Sequence, residues 1–394
     1  MDIISYGRQH IDDADIQAVV ECLRSGALTQ GPKVAEFEQA IAAYVGVRYA
    51  VAVSNGTAAL HLAAIAAEVG SSSAVVTSPI TFVASANAAL YVGARPVFSD
   101  VDPETINLSP SGLVHTLNQN PDVKVIIPVH FAGLPCDMVA ISAAAVNAGA
   151  VIIEDAAHAL GSRYSDGSMV GSCAHSLMTT FSFHPVKSIT TGEGGMVTTN
   201  DEQVYRRLLR LRSHGINKGS DEFLDQDAAF TDGRPNPWYY EMQELSFNYR
   251  ITDIQCALGI TQLAKLDRFV ARRRQLVARY DKAFVGSKLI RPIQLGLRDR
   301  SAHHLYAVRI DFSAAGISRA EFMTRLRERG VISQVHYMPV PAHPYYRRLG
   351  FCADHYPNAQ AYYRQALSLP LFYDLTEKQQ DTVVSLLNEL LRRS

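Results

Sequence analysis

The chain has 394 residues, of which 47% are hydrophobic and 19% charged, and its formal net charge is -1. This composition supplies a large core and, at roughly 100–200 residues per domain, favours two domains, although one large α/β domain with an appendage is also allowed. The lack of Lys/Arg runs argues against a nucleic-acid surface, and the lack of ~18 uninterrupted apolar residues argues against a membrane span. The five cysteines are scattered without a CxxC pair and the first residues lack a signal-peptide pattern, so we expect a cytoplasmic protein without disulfides or a zinc knuckle.

The first half of the sequence alternates between helices and short apolar strands. Helices are predicted at 10–24 and 32–44, and strands at 49–53, 74–77, 96–98, 123–129 and 151–153, with further helices between them. Continuous β-branched strands that alternate with helices predict a mainly parallel sheet covered on both faces. Because sites in such sheets gather at the carboxyl ends of the strands, the segments 54–57 and 154–158 become candidates for a functional site.

The pattern loosens after about residue 196. A polar and then aromatic stretch at 217–240 predicts a loop excursion, and a long helix is predicted at 252–284. A smaller α+β unit is predicted from strands at 302–311 and 331–337 and from helices at 318–329 and 376–392. We therefore expect a large domain over residues 1–250 and a small C-terminal domain over residues 251–394.

Lys187 stands in a turn between an aromatic strand and a glycine-rich stretch, within FSFHPVKSITTGEGG at 181–195. A lysine that forms a Schiff base needs a partly desolvated site, because its amine must be neutral often enough to attack. Glycines allow close backbone approach to such a turn. The segment alone fits a surface lysine on a hairpin equally well.

Three other positions carry groups that a phosphorylated aromatic cofactor needs. Asp155, in EDAAH at 154–158, follows an apolar strand and could pair with a protonated pyridine nitrogen or cap the next helix; His158 could orient it or simply pack. The segment SNGTAAL at 54–60 offers free amides and hydroxyls at a helix start, which suit a phosphate or form an ordinary N-cap turn. Phe82 could stack on an aromatic ring or belong to the core.

Motifs for other chemistries are absent from the sequence. No GxxxxGK[ST] is present and no GxGxxG follows the first strand, and no HExxH or carboxylate-bracketed set supports a metal site. The histidines from which a metal site could start are His303 with His304, or His336 with His343. A phosphate turn, a strand-end Asp and a turn Lys, in this order along one α/β chain, form a more specific arrangement than any of the three alone.

On these segments the chain resembles the DegT/DnrJ/EryC/StrS family of fold-type I aminotransferases, which act on nucleotide-linked keto-sugars. The matching stretches are LTQGP (28–32), SNGTAAL (54–60), EDAAH (154–158), SFHPVK (182–187) and FNYRITDIQ (247–255). The resemblance extends from residue 6 to about residue 373. A subgroup, the C4 aminotransferases of pseudaminic acid biosynthesis, is similar in further stretches, namely YGRQ (6–9), 184–195, PWYYEMQEL (237–245) and QVHYMPV (334–340).

The resemblance implies a fold-type I aminotransferase, with a large domain built on a mainly parallel sheet, a smaller α+β domain, and pyridoxal 5'-phosphate as cofactor. Lys187 would carry the cofactor as a Schiff base and shuttle the proton, Asp155 would pair with the ring nitrogen, and Phe82 would stack on the ring. Many family members have Gln where this chain has His158, and several have another residue at Gly192.

The family also implies contacts to the cofactor phosphate and to the substrate. Thr57, Ala58 and Ser182 would hold the phosphate, together with Asn248 of the partner subunit in a homodimer. The residues expected to border the sugar-nucleotide pocket are Tyr6, Leu28, Thr29, Gln334, His336 and Tyr337.

The implied reaction moves an amino group from glutamate to C4 of UDP-2-acetamido-2,6-dideoxy-β-L-arabino-hex-4-ulose in two half-reactions, with Lys187 as the general base. Three other functions stay open. The same chemistry could act on another keto-sugar nucleotide, either a D-configured sugar at C4 or a sugar at C3. A pyridoxal-phosphate sugar dehydratase is disfavoured because such relatives lose the lysine. A non-catalytic cofactor-binding regulator usually carries a DNA-binding module, and this sequence has no basic helix-turn-helix appendage.

Overall fold

The computed structural model of the protein describes residues 3–218 and 223–392, and its frame is a seven-stranded sheet. The strands are β1 (Tyr49–Val53), β2 (Ala74–Thr77), β3 (Arg95–Phe98), β4 (Val123–Ile127), β5 (Val151–Asp155), β6 (Met178–Ser182) and β7 (Gly195–Thr199). They lie in the order β1-β7-β6-β5-β4-β2-β3, and in this sheet β7 alone runs antiparallel to its neighbours. The predicted α/β class with a mainly parallel sheet is confirmed.

Helices cover both faces of this sheet. They are α1 (Asp13–Ser25), α2 (Pro32–Val45), α3 (Gly56–Ala66), α4 (Val83–Tyr91), α5 (Pro110–Gln119), α6 (Met138–Ala148) and α7 (Glu202–Arg212). Successive strand residues point to opposite faces, so Ile126 joins the core under α2, α5 and α6 while Ile127 joins the core under α3, α4 and α7. Burial on both faces explains why the sequences of these strands are unbroken apolar runs.

The stretch predicted as a loop at 217–240 contains short regular elements, so that prediction was wrong in part. They are β8 (Ile216–Lys218), α8 (Gln226–Ala229), β9 (Phe230–Thr231), β10 (Arg234–Pro235) and β11 (Tyr240–Met242). β8 pairs with β11 and β9 pairs with β10, both antiparallel, because the excursion folds back on its own start and its backbone groups bond to each other. Residues 219–222 of this stretch lie outside the described part of the chain.

The single helix predicted at 252–284 is two helices, α9 (Asp253–Leu263) and α10 (Leu266–Phe284). Lys265, in the turn between them, places its Nζ 2.5 Å from Asp15 Oδ2 and 2.8 Å from Asp12 Oδ1, and Gln262 Nε2 near the end of α9 lies 2.8 Å from Asp15 Oδ2. The break therefore satisfies the buried Asp15 carboxylate, a long-range requirement that helical periodicity does not contain.

The C-terminal part is a three-stranded antiparallel sheet with helices against it. Its elements are β12 (Ile290–Pro292), β13 (Tyr306–Ile310), α11 (Arg319–Glu328), α12 (Pro344–Arg348), α13 (Pro357–Gln365), β14 (Ala366–Leu369) and α14 (Glu377–Arg392). The strand predicted at 331–337 is wrong, since this segment makes only single bridges at Val331 and Gln334. The Tyr362 hydroxyl, rather than a neighbouring strand, donates to the His336 carbonyl at 2.8 Å.

Two hydrophobic clusters meet along α10. Leu266 and Val270 belong to the core of the large sheet, whereas Leu276 and Val277 belong to the core of the C-terminal sheet. The division at residues 250 and 251 stays a prediction, and α9 packs with the large unit. Of the helices in the described ranges, none combines the length and the hydropathy that crossing a membrane requires.

Candidate active site

The carboxyl ends of β1, β5 and β6 meet at one edge of the sheet and carry most of the predicted residues. Asp155 is the last residue of β5, Ser182 is the last residue of β6, and the turn after β1 leads into α3 at Gly56. Lys187 lies in the loop that joins β6 to β7, where Thr190 Oγ1 donates to the Phe183 carbonyl at 3.0 Å and closes the loop. Parallel strands thus bring together groups that are more than 100 residues apart.

Lys187 and Asp155 form the charged centre of this edge. Burial lowers the pKa of Lys187 to about 8, and the nearby Asp155 carboxylate opposes part of this shift. About a tenth of the amine is therefore neutral at pH 7 and about half at pH 8, far more than for an ordinary lysine with a pKa of about 10.4. The Asp155 carboxylate accepts from the Ser85 hydroxyl at 2.6 Å and from the Ala157 amide at 3.1 Å.

A buried carboxylate fixes the end of β5 from the opposite side. Glu154 is fully buried and accepts from His130 Nε2 and the Tyr164 hydroxyl, each at 2.6 Å, and from the Ser176 hydroxyl at 2.5 Å. Burial alone would raise the pKa of Glu154, but these donors lower it. Since the His130 amide also donates to the Asp155 carbonyl at 3.1 Å, this network holds the backbone that carries Asp155.

The turn before α3 forms a cradle for an anion. A Cβ at Gly56 would lie 2.8 Å from Ser182 Cβ, and one at Gly195 would lie 2.4 Å from the Asn55 carbonyl oxygen, so only glycines allow this approach. The first amides of a helix have no helical partner and point outward with the positive end of the helix dipole. The Ser182 side chain therefore lies directly against the start of α3, whose first amides are those of Gly56 and Thr57.

Ala58 differs from the prediction in how available its amide is to a phosphate. Its amide already donates to the Asn55 side chain at 2.8 Å, as expected of a helix N-cap. A phosphate would have to displace the Asn55 oxygen to use this amide, whereas Gly56 and Thr57 offer theirs directly. The contact through Ala58 stays a prediction.

Buried histidines line the site beside the lysine. The rings of His158 and His304 lie 4.3 Å apart, and His158 Nε2 is 3.2 Å from the Tyr337 hydroxyl. Burial, together with the charges of Lys187 and His336, lowers the pKa of His158 far below its usual range, so this ring is neutral. Its Nδ1 is buried and has no partner among the described residues, so a bound group could satisfy it.

Three of the predicted substrate residues converge at the mouth of the site. The Tyr6 and His336 rings lie 5.7 Å apart, the Tyr337 and Phe82 rings lie 6.4 Å apart, and His336 Nδ1 is 2.9 Å from the Ser368 hydroxyl. Phe82 is 59% exposed, which leaves its face free to stack on a ring. Gln334 is exposed on the same segment as His336.

Leu28, Thr29 and Asn248 are exposed in the described chain. The Leu28 carbonyl accepts from the Asp253 amide at 3.0 Å, Thr29 bridges Thr252, and Asn248 bridges Ser213. Their predicted contacts to substrate and phosphate stay predictions.

Ser85 and His304 also belong to the site, although the sequence pattern does not single them out as such. Ser85 is the polar residue that follows Phe82 by three positions in an alanine-rich helix, a spacing that could have marked it as lying on the buried face. For His304 the sequence suggests only a possible metal ligand. Among the described residues, no cluster of three or more His, Cys, Asp or Glu side chains could hold a metal ion.

Comparisons with known proteins agree with this geometry. A model of the DegT/DnrJ/EryC1/StrS aminotransferase family matches residues 9–388. The spore coat polysaccharide biosynthesis protein SpsC of Bacillus subtilis is 39% identical over 394 residues, which are 99% of this chain and 97% of that protein.

Solved structures are similar over the whole chain. Helicobacter pylori PseC, an aminotransferase involved in the biosynthesis of pseudoaminic acid, superposes with a TM-score of 0.90 at 28% identity and 100% coverage of both chains. Spr1654 of Streptococcus pneumoniae, in its PLP form, reaches 0.88 at 30% identity over 99% of each chain, and its PMP form is also similar.

The fold, the lysine beside a strand-end aspartate and the anion cradle define a class: aminotransferases that use pyridoxal phosphate. The chain belongs to the DegT/DnrJ/EryC1/StrS aminotransferase family. The residues present fit the cofactor, since the cradle suits its phosphate, Asp155 suits its ring nitrogen, and the buried Nδ1 of His158 lacks a partner.

Proposed function

We propose that this protein transfers an amino group from glutamate to C4 of UDP-2-acetamido-2,6-dideoxy-β-L-arabino-hex-4-ulose, a step of pseudaminic acid biosynthesis. The observation that carries amino transfer is the placement of Lys187, with its lowered pKa, beside Asp155 at the edge that holds the anion cradle. The full-length similarity to PseC supports the sugar.

Pyridoxal phosphate supplies the aldehyde that takes up the amino group and a ring that withdraws electrons from the reacting carbon. Asp155 would keep the ring nitrogen cationic, and the Ser182 hydroxyl with the Gly56 and Thr57 amides would hold the phosphate. Lys187, about half neutral near its pKa of about 8, would take the Cα proton of the donor in the first half-reaction and would deliver a proton to C4 of the sugar in the second.

The keto-sugar would lie against the ring cluster of Tyr6, His336 and Tyr337. Hydroxyl and imidazole groups can donate to sugar oxygens, and the aromatic faces can cover its methyl group. The Tyr337 hydroxyl bonds to His158. A substrate contact at Tyr337 would therefore be linked through this bond to the part of the site that holds the cofactor.

We propose a homodimer in which Asn248 of one subunit completes the phosphate site of the other. Asn248 is exposed, and the excursion before it presents several large apolar side chains to solvent, which favour burial against a second copy. These side chains are Leu224, Trp238, Tyr240, Met242, Leu245 and Phe247.

A panel of keto-sugar nucleotides tests the assignment. With glutamate as donor, we expect turnover of the β-L-arabino 4-keto sugar to the 4-amino-4,6-dideoxy altrosamine, with stereochemistry read by NMR of the product. No turnover and no visible absorption band after addition of pyridoxal phosphate, with Lys187→Ala indistinguishable from wild type, would contradict the proposal.

A second candidate is the same reaction on another keto-sugar nucleotide, at C4 of a D-configured sugar or at C3. The 39% identity to a spore coat polysaccharide protein favours this alternative. Preferential turnover of one of these substrates in the same panel would select it, whereas cofactor capture without turnover of any sugar would point to a regulator.

We also propose that the protein works in the cytoplasm. The five cysteines are all free thiols, namely Cys22, Cys136, Cys173, Cys256 and Cys352. Free thiols are typical of a reducing compartment. Fractionation of the native host, with thiol labelling of the extracts, tests this placement.

A further inference from the structure

Ser85 occupies an unusual position for a serine inside an apolar helix. It is fully buried on α4, among buried alanines such as Ala84 and Ala86, and its hydroxyl oxygen lies 2.6 Å from Asp155 Oδ2. The same oxygen lies 2.7 Å from Thr81 Oγ1, and Thr81 is also buried. Two hydroxyls thus form a hydrogen-bonded chain that ends on the Asp155 carboxylate, which faces the candidate cofactor site.

The direction in which these hydrogen bonds are donated follows from the number of protons that each group carries. A carboxylate only accepts, so Ser85 must give its single proton to Asp155, and the 2.6 Å length is typical of a hydroxyl bonded to a charged oxygen. Thr81 must then donate to Ser85. Each bond polarises the next, so the Thr81 hydroxyl strengthens the bond that Ser85 makes.

These bonds leave Asp155 with a defined orientation. Its Oδ2 is held by Ser85 and its Oδ1 by the Ala157 amide at 3.1 Å, and each oxygen keeps a further lone pair for another donor. Without Ser85, the nearby Lys187 cation would attract the carboxylate, because opposite charges in a partly desolvated site interact strongly. Phe82 lies at the start of the same helix. The start of this helix would therefore position both the ring that contacts the cofactor and the Asp155 carboxylate.

We propose that Ser85, with Thr81 behind it, is a positioning residue that holds the Asp155 carboxylate toward the cofactor ring nitrogen and away from Lys187. The inference rests on the proposed function, because it assigns Ser85 to the residue that pairs with the pyridine ring. A purely structural hydroxyl would contribute to stability alone.

The test uses pyridoxal phosphate whose ring nitrogen carries an isotopic label, bound to the full-length protein. Its NMR shift reports whether this nitrogen is protonated. We expect a protonated nitrogen in the wild type, a partly neutral nitrogen in Thr81→Val, and a largely neutral nitrogen in Ser85→Ala at the same pH. Cofactor affinity should fall about tenfold or more in Ser85→Ala, as is usual for a lost bond to a charged group.

Ser162→Ala is the matched control. Ser162 is fully buried, donates to the Gly133 carbonyl at 2.7 Å and accepts from the Ala302 amide at 2.9 Å, and neither partner is Asp155. It should lose stability without changing the nitrogen shift. If Ser85→Ala does not fold, Thr81→Val, which keeps the side-chain shape, decides the question.

An unchanged nitrogen shift in both Thr81→Val and any folded Ser85→Ala protein would overturn the inference. This outcome differs from failure of the proposed function, in which the wild type itself would not capture the cofactor through Lys187.

Discussion

Lys187 illustrates how burial sets chemistry at the scale of one residue. Its amine has a pKa of about 8 because desolvation disfavours the charged form, while Asp155 keeps part of the charge in place. His158, buried beside it, is held neutral by burial and by the lysine charge. The site thus combines a readily deprotonated amine with an uncharged ring that can bond to a cofactor oxygen.

The rate at which the apoprotein captures pyridoxal phosphate should follow the deprotonation of Lys187. The neutral amine attacks, so the rate should rise with pH up to about 8 and level off above it. An ordinary lysine has a pKa of about 10.4, so its capture rate would still be rising above pH 8. Stopped-flow absorbance measures this profile.

Asp155→Asn provides the comparison for that profile. Because Asp155 raises the pKa of Lys187, its neutral variant should move the plateau to lower pH. A wild-type rate that still climbs between pH 9 and 10 would contradict the assigned burial of the amine.

At the scale of elements, the site depends on how closely β7 approaches the turn between β1 and α3. Gly195 pairs with Val53, and its missing side chain leaves room for the Asn55 carbonyl. The Ser182 end of β6 approaches Gly56 in the same way. Strand pairing therefore determines the shape of the anion cradle.

Gly195→Ala should damage both the fold and the cradle. A Cβ would lie 2.4 Å from a backbone oxygen, so the turn must shift, and we expect a loss of about 1–3 kcal/mol in the free energy of unfolding with weaker cofactor binding. Urea unfolding of the apoprotein and cofactor titration measure the two effects. Gly70→Ala, at a position with open space around it, should change neither.

At the scale of the whole molecule, the predicted residues fall into a buried or half-buried group and an exposed group. Lys187, Asp155 and the Tyr337 cluster share one edge, whereas Leu28, Thr29 and Asn248 are exposed near the start of α9. A symmetric pair of chains can bring the second group of each subunit to the first group of the other.

Mixing two inactive variants tests this arrangement. If Asn248 acts across the interface, a mixed dimer of Lys187→Ala and Asn248→Ala subunits contains one intact site. Co-refolding equal amounts should therefore restore about a quarter of the wild-type activity, since half of the dimers are mixed. Recovery no greater than the sum of the separate variants would show that each site is built within one chain.

The sequence by itself determined the features that depend on local pattern. Apolar runs alternating with helices predicted the mainly parallel sheet, because burial on both faces requires continuous hydrophobic strands. The positions of Asp155 at a strand end and of Lys187 in a glycine-rich turn followed in the same way, since strand ends are set by a few neighbouring residues.

The tertiary structure alone decided the features that depend on distant partners. The hydroxyl of Ser85 contacts Asp155 across 70 residues, the break before α10 lets Lys265 bond to Asp15, and the His304 ring packs against the His158 ring. The sequence pattern predicts a strand at 331–337, yet the His336 carbonyl bonds to a tyrosine hydroxyl and not to a neighbouring strand. Local periodicity records which face of a segment is apolar; it carries no information about which polar partner the folded chain brings to that face.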